Sequence, residues 1–214
     1  LQKQLESQKE EVSDNEVFVS FSGQVTPSAT YFLNSATDIE IISSRLHRDY
    51  FERVFELFPD EYDDRVKRLD VFTQDVEFDA YVETLPPLHE TWRFAAREEL
   101  MEDADSIANA ELIIHELAHI ISYDEPFDAS DSANTECHEY FEIHGCPTQD
   151  SYLGMFTDEF WRKADLERAI RFSNSADAYE EAADYYDSHG TLYVTDYAAI
   201  GPEEDFSESF MYFV

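Results

Sequence analysis

An α+β fold is what this sequence predicts: a small twisted mixed sheet, a central buried helix, and a mostly helical C-terminal half. Three observations lead there. Short apolar/polar alternations occupy the first half of the chain, three- and four-residue apolar steps dominate the second, and AELIIHELAHIISY, residues 110–123, is apolar on nearly every side.

At 214 residues the chain is long enough for one full-sized hydrophobic core but too short for several independent domains. Residues 1–15 read as a polar leader or tether and 16–214 as a single domain, divided into a sheet and central-helix half (16–122) and a helical half (123–214). The opening LQKQLESQKEEVSDNE has no basic start, apolar segment or cleavage site, so any export signal is expected to have been removed already. A content of 43% hydrophobic and 15% aromatic residues argues for a packed protein. Forty-nine acidic residues against fourteen basic ones give a formal charge of −35, which repels phosphate backbones and anionic membranes and excludes nucleic acid as a natural partner. The same acidity suits solubility in a salty medium, where self-repulsion is screened. No apolar run approaches the eighteen residues of a membrane span, and a monomer is expected.

The elements follow in order. Residues 17–26, VFVSFSGQVT, alternate with period two and predict a strand. Thr37 to Leu57 carries Ile39, Ile42, Leu46, Tyr50, Val54 and Leu57 at helical steps and stops at Pro59. RVKRLDVFT, EFDAYVETL and HETWRFAAR then predict three strands separated by acidic or Pro-Pro turns. The central helix begins after Asp105 or Ser106, either a competent cap, and runs to Ser122. Residues 123–154, rich in Asp, Ser, Asn and Pro, predict an irregular excursion. Helices resume at TDEFWRKADLERAIRF and at SADAYEEAADYYDS, the latter stopped by Gly190, and a last one opens at Pro202 and runs to the chain end.

The two cysteines, Cys137 and Cys146, lie within the excursion. A local disulfide is expected, which implies an oxidising compartment and hence an extracellular or surface-tethered protein. The rival is a zinc knuckle of Cys137, His138, His144 and Cys146, although the paired spacing of ordinary zinc sites is missing.

Within the central helix, His115 and His119 are four residues apart and project from one face within reach of a single ion. Glu116 is placed beside them to take a proton from a metal-activated water. The bland alternative is a pair of hydrogen-bonded core histidines. The surrounding Ile113, Ile114, Leu117, Ala118, Ile120 and Ile121 make that alternative expensive, because polar groups buried without partners cost several kcal/mol, roughly 2–7 each. A zinc ion would answer that cost. A hydrolytic site also needs a third protein ligand and an open position. The residues after His119, IISYDE, exclude the longer histidine motif. Glu204 and Glu208, on one face of the last helix among Phe206, Phe210 and Phe213, are the candidates. The same acidic residues also suit an ordinary helix start, and composition leaves the choice between the two readings open. His47, His89 and His189 have no partner that spacing reveals and read as surface or core histidines.

HELAH followed by YAAIGPEEDFSESF resembles the gluzincin-type zincin metallopeptidases, in particular those related to the lethal-factor catalytic domain. GCPTQDSYLGMFTDEFW is similar to a segment of bacterial zinc-binding metallopeptidases. The resemblance covers about twenty residues in its two main segments and implies a zincin-like version of the α+β fold, with the motif helix following the sheet. It implies zinc held by His115, His119 and Glu204, with Glu208 accepting a ligand histidine's free ring N–H. By the same likeness Tyr197, seven residues before Glu204, stabilises the oxyanion, and Ser207 stands where the family usually has alanine. In this family substrate backbone lies along an edge strand, a role open here to DAYVETL or HETWRFA. The resulting expectation is a zinc endopeptidase acting on peptide or protein substrates, with Glu116 as general base. Two other classes stand beside it: a non-catalytic zinc-retaining binding protein or adhesin, and a metal-free acidic structural domain.

Overall fold

The computed structural model describes residues 21–85, 90–123, 147–173 and 177–214. The leader 1–15, His89, and the Cys137, His138, His144 and Cys146 group with its expected disulfide lie outside the described residues. The fold is α+β, with a four-stranded mixed sheet and several helices.

The predicted strand at 17–26 is corrected. Its described part contains a short helix, α1 (Phe21–Gln24), and the first strand, β1 (Ala29–Phe32), begins later. Pro27 supplies no ladder donor, and pairing starts just past it, with Ser28 N–H donating to Val71 at 2.7 Å. Val25 is still buried, but it packs beside Phe72, Tyr81 and Ala95 on the outer face of the sheet. The expected helix over Thr37–Leu57 is broken: a 3-10 segment (Ala36–Ile41) precedes α2 (Arg45–Leu57). Ser44 accepts from the His47 amide at 3.3 Å and starts α2 as its cap, because a serine hydroxyl offers the backbone an alternative to continuing a helix.

The other three strands lie where alternation predicts them: β2 (Val66–Phe72), β3 (Ala80–Thr84) and β4 (Trp92–Arg97). The sheet order is β1-β2-β4-β3. β2 and β4 are parallel, while β1 and β3 each run antiparallel to their neighbour. β4 is therefore paired on both sides and β3 forms an edge. Leu69, Val71, Val82 and Phe94 point inward to meet Tyr50, Phe51 and Val54 of α2 and Ile113, Leu117 and Ile120 of α3 (Ile107–Ser122). Each such side chain removed from water contributes about 1.5–3 kcal/mol, and that burial offsets the cost of the polar residues α3 carries. On the outer face, buried Asp70 pairs with Arg68 at 2.9 Å and Arg93 at 3.5 Å.

Ser106 caps α3, accepting from Asn109 N–H at 3.2 Å. Past the excursion, α4 (Tyr152–Phe160) starts inside the segment expected to be irregular, capped by Ser151. Gly154 is obligatory there, since a side chain would collide with the Thr148 carbonyl oxygen. The single helix expected over TDEFWRKADLERAIRF is two, α4 and α5 (Lys163–Ser173). Between them Trp161 is extended and buried, its indole N–H donating to Asp205 at 2.9 Å. That side-chain bond fixes a bend that helical periodicity does not reveal. α6 (Ala178–His189) ends at Gly190, and α7 (Pro202–Phe213) opens on Pro202. Among the described residues no helix is long and apolar enough to cross a membrane.

Candidate metal centre

Two helices build the site. α3 presents His115 and His119 one turn apart, and α7 lies against it carrying Glu204 and Glu208, also one turn apart. Three atoms converge: His115 Nε2 and His119 Nε2 are 3.2 Å apart, and Glu204 Oε2 stands 3.2 Å from the first and 3.5 Å from the second. Glu204 Oε2 is buried, and the surrounding geometry gives it no hydrogen bond.

Protons cannot satisfy such a triangle well. A single N–H points at one partner, and the third atom is left facing lone pairs. A cation at the centre accepts all three. A tetrahedral ion with bonds of about 2.0–2.1 Å requires ligand atoms about 3.3 Å apart, close to the distances found. His115, His119 and Glu204 thus form a group that could hold a metal ion.

The surrounding contacts orient that group. His115 Nδ1 donates to Glu208 Oε1 at 2.8 Å, which directs Nε2 at the centre, where loss of its proton would leave a lone pair for a cation. The second Glu208 oxygen accepts from Thr195 Oγ1 at 2.8 Å, and Thr195 Oγ1 in turn accepts from the Ala198 amide at 3.0 Å. Glu208 is therefore tied to the 3-10 turn Tyr197–Ala199. Tyr197 sits on this turn with its ring 5.7 Å from the His115 ring. Its neighbour Tyr179, at the start of α6, stacks on it at 5.7 Å with the planes 22° apart.

Electrostatics follow from burial and charge. Burial drives the His115 imidazole toward neutrality, but the Glu204 and Glu208 carboxylates beside it outweigh that and raise the group to about 10 in the metal-free protein. Burial likewise opposes charge on His119, and Glu204 raises it. Burial favours a neutral Glu204, yet the two imidazoles hold its carboxyl well below the usual range. Glu116 is raised, first by burial and also by Glu204, against lowering by both imidazoles and by the Val82 backbone of β3. A carboxylate with raised proton affinity beside a metal-competent triangle has the character of a general base. Tyr197 is raised well above the ordinary phenol value by burial, then by the Glu204 charge, so it stays a hydrogen-bond donor.

His115, Glu116, His119, Glu204, Glu208 and Tyr197 are thus brought together. Two of the remaining histidines have partners. His47 is buried in α2, between Tyr31 Oη at 2.7 Å and Glu98 Oε1 at 3.1 Å, and His189 stacks on Tyr185 at 4.0 Å. Neither belongs to the triangle's ligand set. The sequence reading missed Thr195 and Tyr179. Thr195 could have been found as a hydroxyl three residues before the turn residue it caps, whereas nothing local distinguishes Tyr179 from the other twelve tyrosines. Comparison with protein-family models, curated proteins and solved structures gave no match.

Proposed function

We propose that this chain is a zinc-dependent peptidase of zincin type. The observation that carries the reading is the triangle of two imidazole nitrogens and one carboxylate oxygen, 3.2–3.5 Å on a side, with Glu116 adjacent. His115, His119 and Glu204 would hold the ion, whose chemistry when bound is Lewis-acid polarisation and a lowered pKa for water. Glu116 takes a proton from the attacking water at its carboxylate and returns it to the leaving amine. The Tyr197 hydroxyl donates to the carbonyl oxygen where negative charge develops. Glu208 keeps the His115 proton on Nδ1, which holds Nε2 free.

Substrate backbone is assigned to β3. It is the edge beside the site, packed against the α3 helix that carries Glu116, so an extended peptide adding to that edge is delivered to the base. β4 is ruled out for this role by having neighbours on both sides.

Glu116→Gln preserves shape and removes the base. Peptide cleavage is expected to fall by about 10²–10⁴-fold, with close to one zinc per chain retained by elemental analysis. Full cleavage by the variant would overturn the peptidase reading. A wild-type chain that binds zinc, cleaves nothing in a diverse peptide library and is indifferent to this substitution would instead be a zinc-retaining binding protein.

A further inference from the structure

Thr195 belongs to no motif. It sits on the segment between α6 and the Tyr197–Ala199 turn and is only partly buried. Its hydroxyl nevertheless has two partners at short range, Glu208 Oε2 at 2.8 Å and the Ala198 amide nitrogen at 3.0 Å. The chemistry of the partners fixes the direction of both bonds: an amide N–H only donates, and a carboxylate oxygen accepts. The single Thr195 proton therefore goes to Glu208, and a lone pair of the same oxygen receives the Ala198 N–H. A directed run of hydrogen bonds results, from the Ala198 amide through Thr195 to Glu208, whose other oxygen accepts from His115 Nδ1 at 2.8 Å. At one end stands the turn that begins with Tyr197, its ring 5.7 Å from the His115 ring. At the other stands the imidazole whose Nε2 faces His119 and Glu204.

A carboxylate held at one oxygen alone keeps rotational freedom, because its terminal torsion is broad and roughly two-fold. Rotation of Glu208 would swing Oε1 off Nδ1 and release the His115 ring. The Thr195 bond to the second oxygen removes that freedom. The same hydroxyl also serves the turn. The first backbone bond of the turn runs from Ala199 N–H to the Asp196 carbonyl, so the Ala198 amide precedes it, and a hydroxyl three residues back supplies its acceptor. Ala198 is fully buried, and losing that acceptor would loosen the turn.

We propose that Thr195 is a positioning residue that couples the metal centre to the Tyr197 turn: its donor arm fixes Glu208 and through it the His115 ligand, and its acceptor arm fixes the turn that presents Tyr197. The inference rests on the metal-centre and peptidase reading above and extends it to a residue outside the motif. Because coupling between two sites is reciprocal in free energy, an ion held by His115 should in turn steady the Ala198 amide.

Thr195→Val keeps the shape and deletes the hydroxyl, whereas Thr195→Ser keeps the hydroxyl. On the full chain, competition with a chromophoric chelator should show zinc affinity lowered about 2–10-fold by valine, the scale of one hydrogen bond, and largely restored by serine. At saturating zinc, kcat of the valine variant should fall about 2–10-fold with KM nearly constant. The two arms separate by background. In Glu208→Ala the valine substitution should change zinc affinity by less than about 1.5-fold, as for non-interacting sites. In Tyr197→Phe it should leave kcat unchanged yet still weaken zinc binding. In the wild-type chain, zinc should slow hydrogen exchange of the Ala198 amide about 2–10-fold more than that of the Tyr62 amide, which bonds the Pro59 carbonyl in the 3-10 segment before β2.

An unchanged zinc affinity in Thr195→Val, a serine variant as weak as valine, an affinity loss that persists in Glu208→Ala, or a kcat loss that persists in Tyr197→Phe overturns the proposal. Equal slowing of the two amides overturns it as well, and that measurement decides the matter if the valine variant does not fold. A wild-type chain that binds zinc but hydrolyses no peptide counts against the peptidase reading alone, and the affinity and exchange measurements still decide this one. A wild-type chain that binds no zinc overturns both.

Discussion

His115 is gripped at both ring nitrogens, by Glu208 at 2.8 Å and by Glu204 at 3.2 Å, and this has a measurable consequence. In the metal-free protein burial disfavours its charge but the two carboxylates prevail, so the group titrates near 10 instead of 6.5. Between those values the folded chain holds a proton that the unfolded chain has released. The resulting stabilisation is complete below about 6.5 and is lost as pH rises through about 10. A metal must displace that proton. Zinc affinity of the chelator-stripped protein should therefore increase with pH from 6.5 toward 10. Calorimetric titrations at pH 7.5 in buffers of different ionisation heat should show about one or more protons released per ion. A binding enthalpy independent of buffer would contradict the geometry described for this residue.

The elements that carry the site are also joined through contacts made by residues other than its metal-competent trio. Trp161, at the break between α4 and α5, donates its indole N–H to Asp205 of α7, one residue from Glu204. Asp205 is raised to about 6, chiefly by burial and further by Glu208, while bonds from Trp161 and Ser209 pull it down. Because its folded value exceeds its ordinary 3.8, the folded chain binds more protons between those two values, and this group makes stability decline as pH rises through that window. Trp161→Phe removes the compensating donor and leaves the ring largely in place. It should destabilise the protein by about 1–3 kcal/mol at pH 7, where Asp205 is charged, and by less near pH 4. Denaturant melts at the two pH values check this, and an equal loss at both would show that packing, not the indole bond, is what Trp161 supplies. Beside Trp161, Arg168 of α5 lies 3.6 Å over the Tyr185 ring and donates to the Ala199 carbonyl at 3.2 Å, which steadies the turn bearing Tyr197.

Across the whole molecule the formal charge of −35 opposes compaction. Fourteen cations cannot neutralise it, and several are committed to local pairs such as Arg68 with Asp70 and Arg97 with Asp79. Added salt screens the remainder within about 3 Å at 1 M, against about 30 Å at 0.01 M. The thermal midpoint should therefore rise on going from about 10 mM to 1 M sodium chloride, by about 2–8 °C if screening recovers 1–2 kcal/mol in a chain of this size. Scanning calorimetry decides it. A midpoint that falls with salt would mean that specific surface ion pairs outweigh the net repulsion.

Periodicity alone located β2, β3, β4, α3, α6 and α7, because an apolar stripe that must be buried is written locally at a spacing of two or of three to four residues. The His115, Glu116 and His119 group was legible for the same reason: one helical turn brings the two imidazoles together whatever the rest of the chain does. The choice between Glu204 and Glu208 was not. Both project from one face of α7, and only the way α7 lies on α3 sets one oxygen against the two Nε2 atoms and the other against Nδ1. Local pattern was also blind to the late start of β1 after Pro27, to the bend at Trp161 and to the Tyr179 stack. Each of these is decided by a partner distant in sequence, Val71, Asp205 and Tyr197 respectively, and a contact of that kind exists only once the chain has folded.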